Sequence, residues 1–391
     1  MNNLPAMNNV HIDYEALKSN IAALQLHNPS SKIGVVVKSD AYSHDLTNLI
    51  GALKPLSDYF FVGSVGEALS LVYDFSLQEQ NKMVFPLYTF TQGDLQYLDV
   101  YHNLVFNIFD MEALRMVIEY VKQFNEKLQV SIQNRKVQME FTPKKFYFNL
   151  NLDSGMRFLG IDDRVLDEAI DLLVEYQNLI GVYAVNTHFA TADNLEDNYY
   201  LEQVISFKKM LNKIEKASIE FKAISCHNSA SFIRNEIDFK EYKVLNIARI
   251  GLAAYGYFPD QSLKTLYPDL VLKPVMSWKS EIISIKKLLK GDKIGYGSTF
   301  TCPFDMTIGI VPIGYFEGYP RTLSNVSEVV IKSNKYRTVG RVRMNMLAVD
   351  ITDTKIKSGD IVSLLDNEIN ADHLADRAGT IPYEILTNIK M

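Results

Sequence analysis

Eight short runs rich in β-branched and aromatic residues alternate with longer stretches of helical spacing over roughly the first 240 residues, and few folds accommodate that rhythm. The strand candidates are Ile33–Val37, Phe60–Val62, Met83–Leu87, Val105–Ile108, Phe146–Leu152, Leu179–Val185, Phe221–Cys226 and Val244–Ala248. Several are unbroken apolar runs, which suits strands buried on both faces. Between them, Leu17, Ile21 and Leu24 recur at helical spacing behind Asp13, a residue type favoured at helix starts. Ala113, Val117, Ile118 and Val121 make a similar stripe. The pattern predicts an N-terminal (β/α)8 TIM-type barrel, with a doubly wound open sheet as the alternative.

Beyond about Leu272 the rhythm changes. Val275–Ile285, Thr307–Ile313, Val329–Lys332, Arg337–Val342, Leu347–Ile351 and Ile361–Leu365 read as closely spaced strands separated by turn signals such as KGD and KSN. Helical periodicity returns only in the last twenty-odd residues. We therefore expect a barrel over 12–267 and a mostly-β domain over 268–391, the latter joined by an N-terminal strand within 1–11. A chain of 391 residues suits two such domains.

Composition excludes several classes of function. A net charge of -6 leaves no surplus of cations for phosphate backbones, so nucleic acid is not an expected partner. No apolar run is long enough to span a membrane, and the start lacks the basic and apolar regions of a secretion signal. Two cysteines, Cys226 and Cys302, cannot build a disulfide framework, and no HExxH or clustered ligand spacing suggests a metal. The expectation is a soluble, cytoplasmic protein without a metal centre.

In a barrel, chemistry gathers where strands end. Lys38 directly follows IGVVV, with Tyr42 and His44 close behind; His188 follows the strand ending near Val185; Asn228 and Ser229 follow AISC; Arg249, Gly251 and Leu252 close the eighth strand. Each alone has an ordinary explanation: a solvated lysine, a core histidine, a turn pair, or an arginine paired with a carboxylate. Together they have a chemical sense. A hydroxyl and the backbone N–H groups of Gly251 and Leu252 can cradle a phosphate, and a nearby lysine suits an aldehyde. Pyridoxal phosphate carries both groups.

At these residues the sequence resembles the alanine racemase family over nearly its whole length. VVVKSDAYSH (35–44), THFATAD (187–193), HNSAS (227–231), ARIGLAAYGY (248–257), IGYGSTF (294–300), VGRVRMNM (339–346) and PYEILTNI (382–389) are similar to the family's motifs, in the family's order. The resemblance implies a pyridoxal 5'-phosphate enzyme that interconverts L- and D-alanine for peptidoglycan. Lys38 would be the Schiff-base residue and one base, and Tyr296 the base on the opposite face. Tyr42, His188, Asn228, Ser229, Arg249, Gly251, Leu252 and Tyr383 would hold the cofactor. Arg249 would face the pyridine nitrogen, where it can only donate, which weakens the ring as an electron sink. Tyr296 and the substrate-contacting Met344 would come from the β domain of a second subunit, making an obligatory homodimer with composite sites.

The stretch FNLNLDSGMRFLG (148–160) departs from the family's pattern. Asn151 stands for a lysine, Phe158 for an arginine, and the only arginine, Arg157, lies one position early. We expect the loop to shift so that Arg157 reaches the cofactor and the substrate carboxylate; the alternative is that this contact is lost. Ser43 replaces the usual glycine, and Arg343 and Asn345 flank Met344 in place of cysteine and aspartate. Two further readings stay open: an amino-acid racemase of wider substrate range, and a pyridoxal-phosphate-binding protein with little catalysis.

Overall fold

The computed structural model describes residues 7–134 and 141–391, so the first six residues of the expected N-terminal strand lie outside it. Eight parallel strands occupy the N-terminal half: β2 (Lys32–Val36), β3 (Tyr59–Val62), β4 (Met83–Pro86), β5 (Asn107–Ile108), β6 (Phe146–Asn151), β7 (Ile180–Asn186), β8 (Phe221–Ser225) and β9 (Leu245–Ile250). Their order, β4-β3-β2-β9-β8-β7-β6-β5, is that of a barrel, not of a doubly wound sheet. The seam between β4 and β5 is closed by a parallel bridge from Val84 to Leu104, supported by bonds from Val84 N to Asn103 O and Val105 N to Val84 O. That substitution of an irregular bridge for a ladder is why only two residues of the expected 105–108 run pair as a regular strand.

Helix Tyr14–His27 begins where Asp13 accepts from the N–H groups of Glu15 and Ala16, and it buries Leu17, Ile21 and Leu24 against the barrel. Val117, Ile118 and Val121 do the same from helix Met111–Asn134.

The C-terminal half is antiparallel. β1 (Asn9–Ile12) pairs with β10 (Met276–Glu281), followed across the sheet by β18 (Ile361–Leu365), β15 (Glu328–Ile331), β16 (Asn334–Val339), β17 (Leu347–Asp350), β14 (Met306–Val311) and β11 (Ser284–Leu288). The short pair β12 (Lys293–Ile294) and β13 (Phe300–Thr301) stands apart. The single strand expected over 275–285 is two. Ile282 bonds with Gly359 and Asp360 while Ile283 donates to Ile310, so the chain changes neighbours between those residues. KSN is a two-residue hairpin turn with Lys332 and Ser333 both at positive φ. Helices Ala371–Ala378 and Pro382–Asn388 end the chain.

One buried amide ties the halves together. Asn20, on the first helix, donates to Ala254 O (3.0 Å) and Lys273 O (2.8 Å) and accepts from Lys273 N (2.8 Å). Gly256 lets these segments meet, since a Cβ there would stand 1.9 Å from Lys273 O. Replacing Asn20 with alanine removes the side-chain partner of three backbone groups, one of them fully buried, and should cost about 2–4 kcal/mol, read as a lowered denaturant midpoint.

Candidate active site

The chain leaves β2 at Val36 and enters a turn of unusual hand. Ser39, Asp40, Ala41, Tyr42 and Ser43 all have φ between 52° and 59°, a left-handed helical turn without a glycine. Each such residue costs about 1–2 kcal/mol, so surrounding contacts must impose the conformation. Several do. Ala41 N donates to Val37 O and His44 N to Asp40 O. Glu67 accepts from Ser39 N at 2.7 Å, and Asp40 from Leu46 N at 2.8 Å. The Ser43 hydroxyl donates to Thr387 O at 3.0 Å, which anchors the serine that stands where the family has glycine. His44 stacks on Tyr255 at 4.4 Å, and Tyr42 packs against Tyr255 and Tyr383.

The turn sets two groups at the barrel mouth. Lys38 lies half-buried, its Nζ donating to the Tyr88 hydroxyl at 3.2 Å. Tyr42 turns inward to Gly251, where a Cβ would meet its oxygen at 2.6 Å. Burial, with smaller contributions from Tyr383 and Tyr88, pushes the Tyr42 phenol far up, so it stays a neutral donor. Burial likewise pushes Tyr383 up to about 12.

Opposite Tyr42, Asn228 caps helix Ser229–Arg234 by accepting from Ser231 N, and donates to Phe189 O at 3.3 Å. Ser229 Oγ accepts from Gly251 N (3.3 Å) and Ala253 N (3.4 Å). The sequence reading named Gly251 and Leu252 as the N–H pair beside this serine. In the structure Ala253 takes Leu252's place toward Ser229, and the Leu252 N–H finds no acceptor among the described residues. The Tyr42 and Ser229 hydroxyls with the Leu252 N–H therefore make a small cradle of donors suited to a phosphate.

Arg249 is buried, and among the described residues no carboxylate pairs with it, which corrects its ordinary explanation. Nη1 donates to the backbone oxygen and hydroxyl of Ser225; Nη2 donates to Thr187 O (2.6 Å) and to His188 Nδ1 (3.2 Å). Nε has no partner among the described residues. Burial lowers Arg249 to about 10, still a cation at neutral pH. The His188 ring opens to solvent at the mouth, but the crowded barrel wall, then Arg249 and Lys38, hold it well below the usual imidazole range. It is neutral and accepts from Arg249. Gln203 steadies its loop through Ala190 N and His188 O.

Not every expected residue converges here. Arg157, at φ 63°, bonds Asp162 (2.9 Å) and Asp153 (3.3 Å), and Phe158 is 84% exposed. Two carboxylates engage Arg157, and among its described contacts none is with Lys38 or the donor cradle. Asn151 donates to Leu159 O within the same loop. Tyr296 and Met344 lie exposed on the β half, and Tyr296 meets Arg343 within its own chain, not Lys38. Tyr88, Glu67, Thr187 and Ser225 went unnamed in the sequence. Only Glu67 had a clear local signal, the S-x-x-E start of helix Val65–Asp74.

His44 and His227 are buried, and burial lowers both to about 4. An unfolded chain binds those protons near pH 6.5, before the native state does, so stability falls as pH drops from about 6.5 to 4. Each histidine accounts for roughly 3 kcal/mol of that loss. His227 has no partner for either ring nitrogen among the described residues. His227→Phe should flatten the acid limb of a stability–pH curve; an unchanged slope would refute this assignment.

Sequence profiles described as "Alanine racemase, N-terminal domain" and "Alanine racemase, C-terminal domain" match residues 12–259 and 275–391. The chain is 31% identical to an alanine racemase of Pasteurella multocida, covering 100% of this chain and 97% of that one. An alanine racemase structure from Acinetobacter baumannii superposes with a TM-score of 0.78 at 28% identity, over 98% of this chain and 97% of that one. One from Bartonella henselae, with covalently bound pyridoxal phosphate, shares the fold at a TM-score of 0.82 and 23% identity, over 99% of this chain and 98% of that one.

Proposed function

The chain belongs to the alanine racemase family, and we propose that it interconverts L- and D-alanine with pyridoxal 5'-phosphate. Its role would be to supply D-alanine for peptidoglycan in the cytoplasm. The observation that carries this reading is the left-handed turn, which joins a mouth-facing amine at Lys38 to the donor cradle that Tyr42 enters beside Gly251. The donor set fits the cofactor group by group. Lys38 matches an aldehyde; the Tyr42 and Ser229 hydroxyls and the Leu252 N–H match a phosphate, with Gly251 leaving room for Tyr42; Arg249, with Nε free, matches a ring nitrogen that accepts. Asn228 and Tyr383 support the cradle from either side, and His188 holds Arg249.

When bound, pyridoxal phosphate supplies an aldehyde that captures the substrate nitrogen and a ring that draws electron density from Cα. The protein moves the protons. Lys38 Nζ, as the neutral amine, takes the Cα proton of D-alanine on one face; Tyr296, as the phenolate, takes that of L-alanine on the other. As one base gains a proton the other delivers its own, so the net change is inversion alone. Arg249 keeps its own proton, leaving the ring nitrogen unprotonated and limiting side reactions that need a stronger electron sink.

Tyr296 serves this role from a second copy of the chain. Its 70% exposure, and that of Met344 at 54%, support a composite site in a homodimer. Activity per chain should fall on dilution into the dissociating range, and full activity from a demonstrated monomer would contradict the composite site. The engagement of Arg157 by Asp153 and Asp162 favours a second reading, a racemase of wider substrate range.

Borohydride reduction should fix the cofactor to the peptide containing Lys38, and Lys38→Ala should abolish that label. Tyr296→Phe should bind the cofactor normally while losing about 10²–10⁴-fold in turnover. A protein that merely binds the cofactor would lose nothing. If L-alanine keeps its optical rotation while another amino acid is racemised, alanine is not the substrate.

A further inference from the structure

An amino acid brings a carboxylate that must be held while a proton moves at the adjoining carbon. The cations described at the barrel mouth are committed elsewhere. Arg157 is bonded to Asp153 and Asp162. Arg249 is spent on Ser225, Thr187 and His188, and its remaining Nε is matched to the cofactor ring. Lys38 takes the aldehyde.

The β half offers what the mouth lacks. The Arg343 guanidinium carbon lies over the Tyr296 ring, 5.5 Å from its centre. Arg341 sits beside the next residue, with its Cζ 3.1 Å from where a Cβ on Gly297 would stand. These two arginines, with Lys286 and Lys293, line a hollow of about 270 Å³. None of the four has a carboxylate within ion-pair distance among the described residues. The neighbouring polar side chain, Asn345, is already bonded to Glu317 at 2.6 Å.

We infer that Arg343, presented with Tyr296 by the partner subunit, binds the substrate carboxylate. The inference rests on Tyr296 being the base on the far face. The carboxyl carbon is one bond from Cα, so the group that holds it must neighbour the group that reaches the Cα proton. Arg343 and Tyr296 are such neighbours. The Arg343 guanidinium makes no hydrogen bond or ion pair among the described residues, so its N–H groups are free to fork a carboxylate. This places anion recognition on the subunit opposite the one that holds the cofactor.

The test titrates cofactor-loaded dimer with propionate, which has the carboxylate and lacks the amine, by calorimetry. Arg343→Ala should weaken propionate at least tenfold and raise KM for L-alanine more than it lowers kcat. Arg343→Gln, which keeps a planar polar end but removes the charge, should weaken propionate similarly, and Arg343→Lys should restore part of the affinity. Arg157→Ala should stay within twofold of the unaltered protein. Unchanged propionate affinity in both Arg343→Ala and Arg343→Gln overturns the inference, as does an equal loss in Arg157→Ala. Borohydride labelling separates the two levels. Fixed cofactor with propionate binding indifferent to residue 343 removes only this assignment, whereas no label at Lys38 in the unaltered protein removes the proposed function with it.

Discussion

The left-handed turn over Ser39–Ser43 is the constraint on which the site depends. Five consecutive L-residues hold a conformation each would avoid in isolation, at a summed cost comparable with the net stability of many domains. What they gain is placement. A right-handed turn after β2 would carry Tyr42 away from Gly251 and detach the amine from the donor cradle. Glycine at position 251 is the complementary requirement, because any side chain there would displace the Tyr42 hydroxyl.

Around that turn the polar groups are arranged by burial more than by ion pairing. Arg249 keeps its charge deep in the barrel on carbonyl and hydroxyl oxygens and the neutral His188 ring, an arrangement that engages both its Nη groups without neutralising it. His188 stays neutral beside it, and the Tyr42 phenol stays protonated. The mouth is therefore a field of donors with a net positive bias, which suits a cofactor bearing a phosphate. The loop that bears Arg157 contributes nothing to that bias, since Arg157 and Arg164 balance Asp153 and Asp162.

Much of this was legible in the sequence, for physical reasons. Parallel strands buried on both faces leave apolar runs, so all eight barrel strands were visible, and barrel geometry sends attention to strand ends, where Lys38, His188, Asn228, Ser229 and Arg249 lie. The 105–108 run was over-read because the β4–β5 seam closes by a bridge at Leu104. The break at Ile282 was invisible because apolar residues continue through it, and only the partners at 310 and 359–360 divide the strand. The hand of the 39–43 turn was hidden for a stronger reason: nothing in SDAYS prefers it locally. Tyr88 was one of 22 tyrosines, with no spacing to distinguish it. The carboxylates that engage Arg157 were within reach of the sequence, since Asp153 and Asp162 stand four and five residues away.

The bond from Ser43 to Thr387 spans 344 positions, and Tyr383 lies in the same terminal helix. The loop that bears Lys38 is therefore fastened by a contact of very high sequence separation, a kind that loop-closure entropy makes slow to form relative to local structure. Its placement is coupled to the integrity of helix Pro382–Asn388, so damage to that helix reaches the barrel mouth without touching a barrel strand.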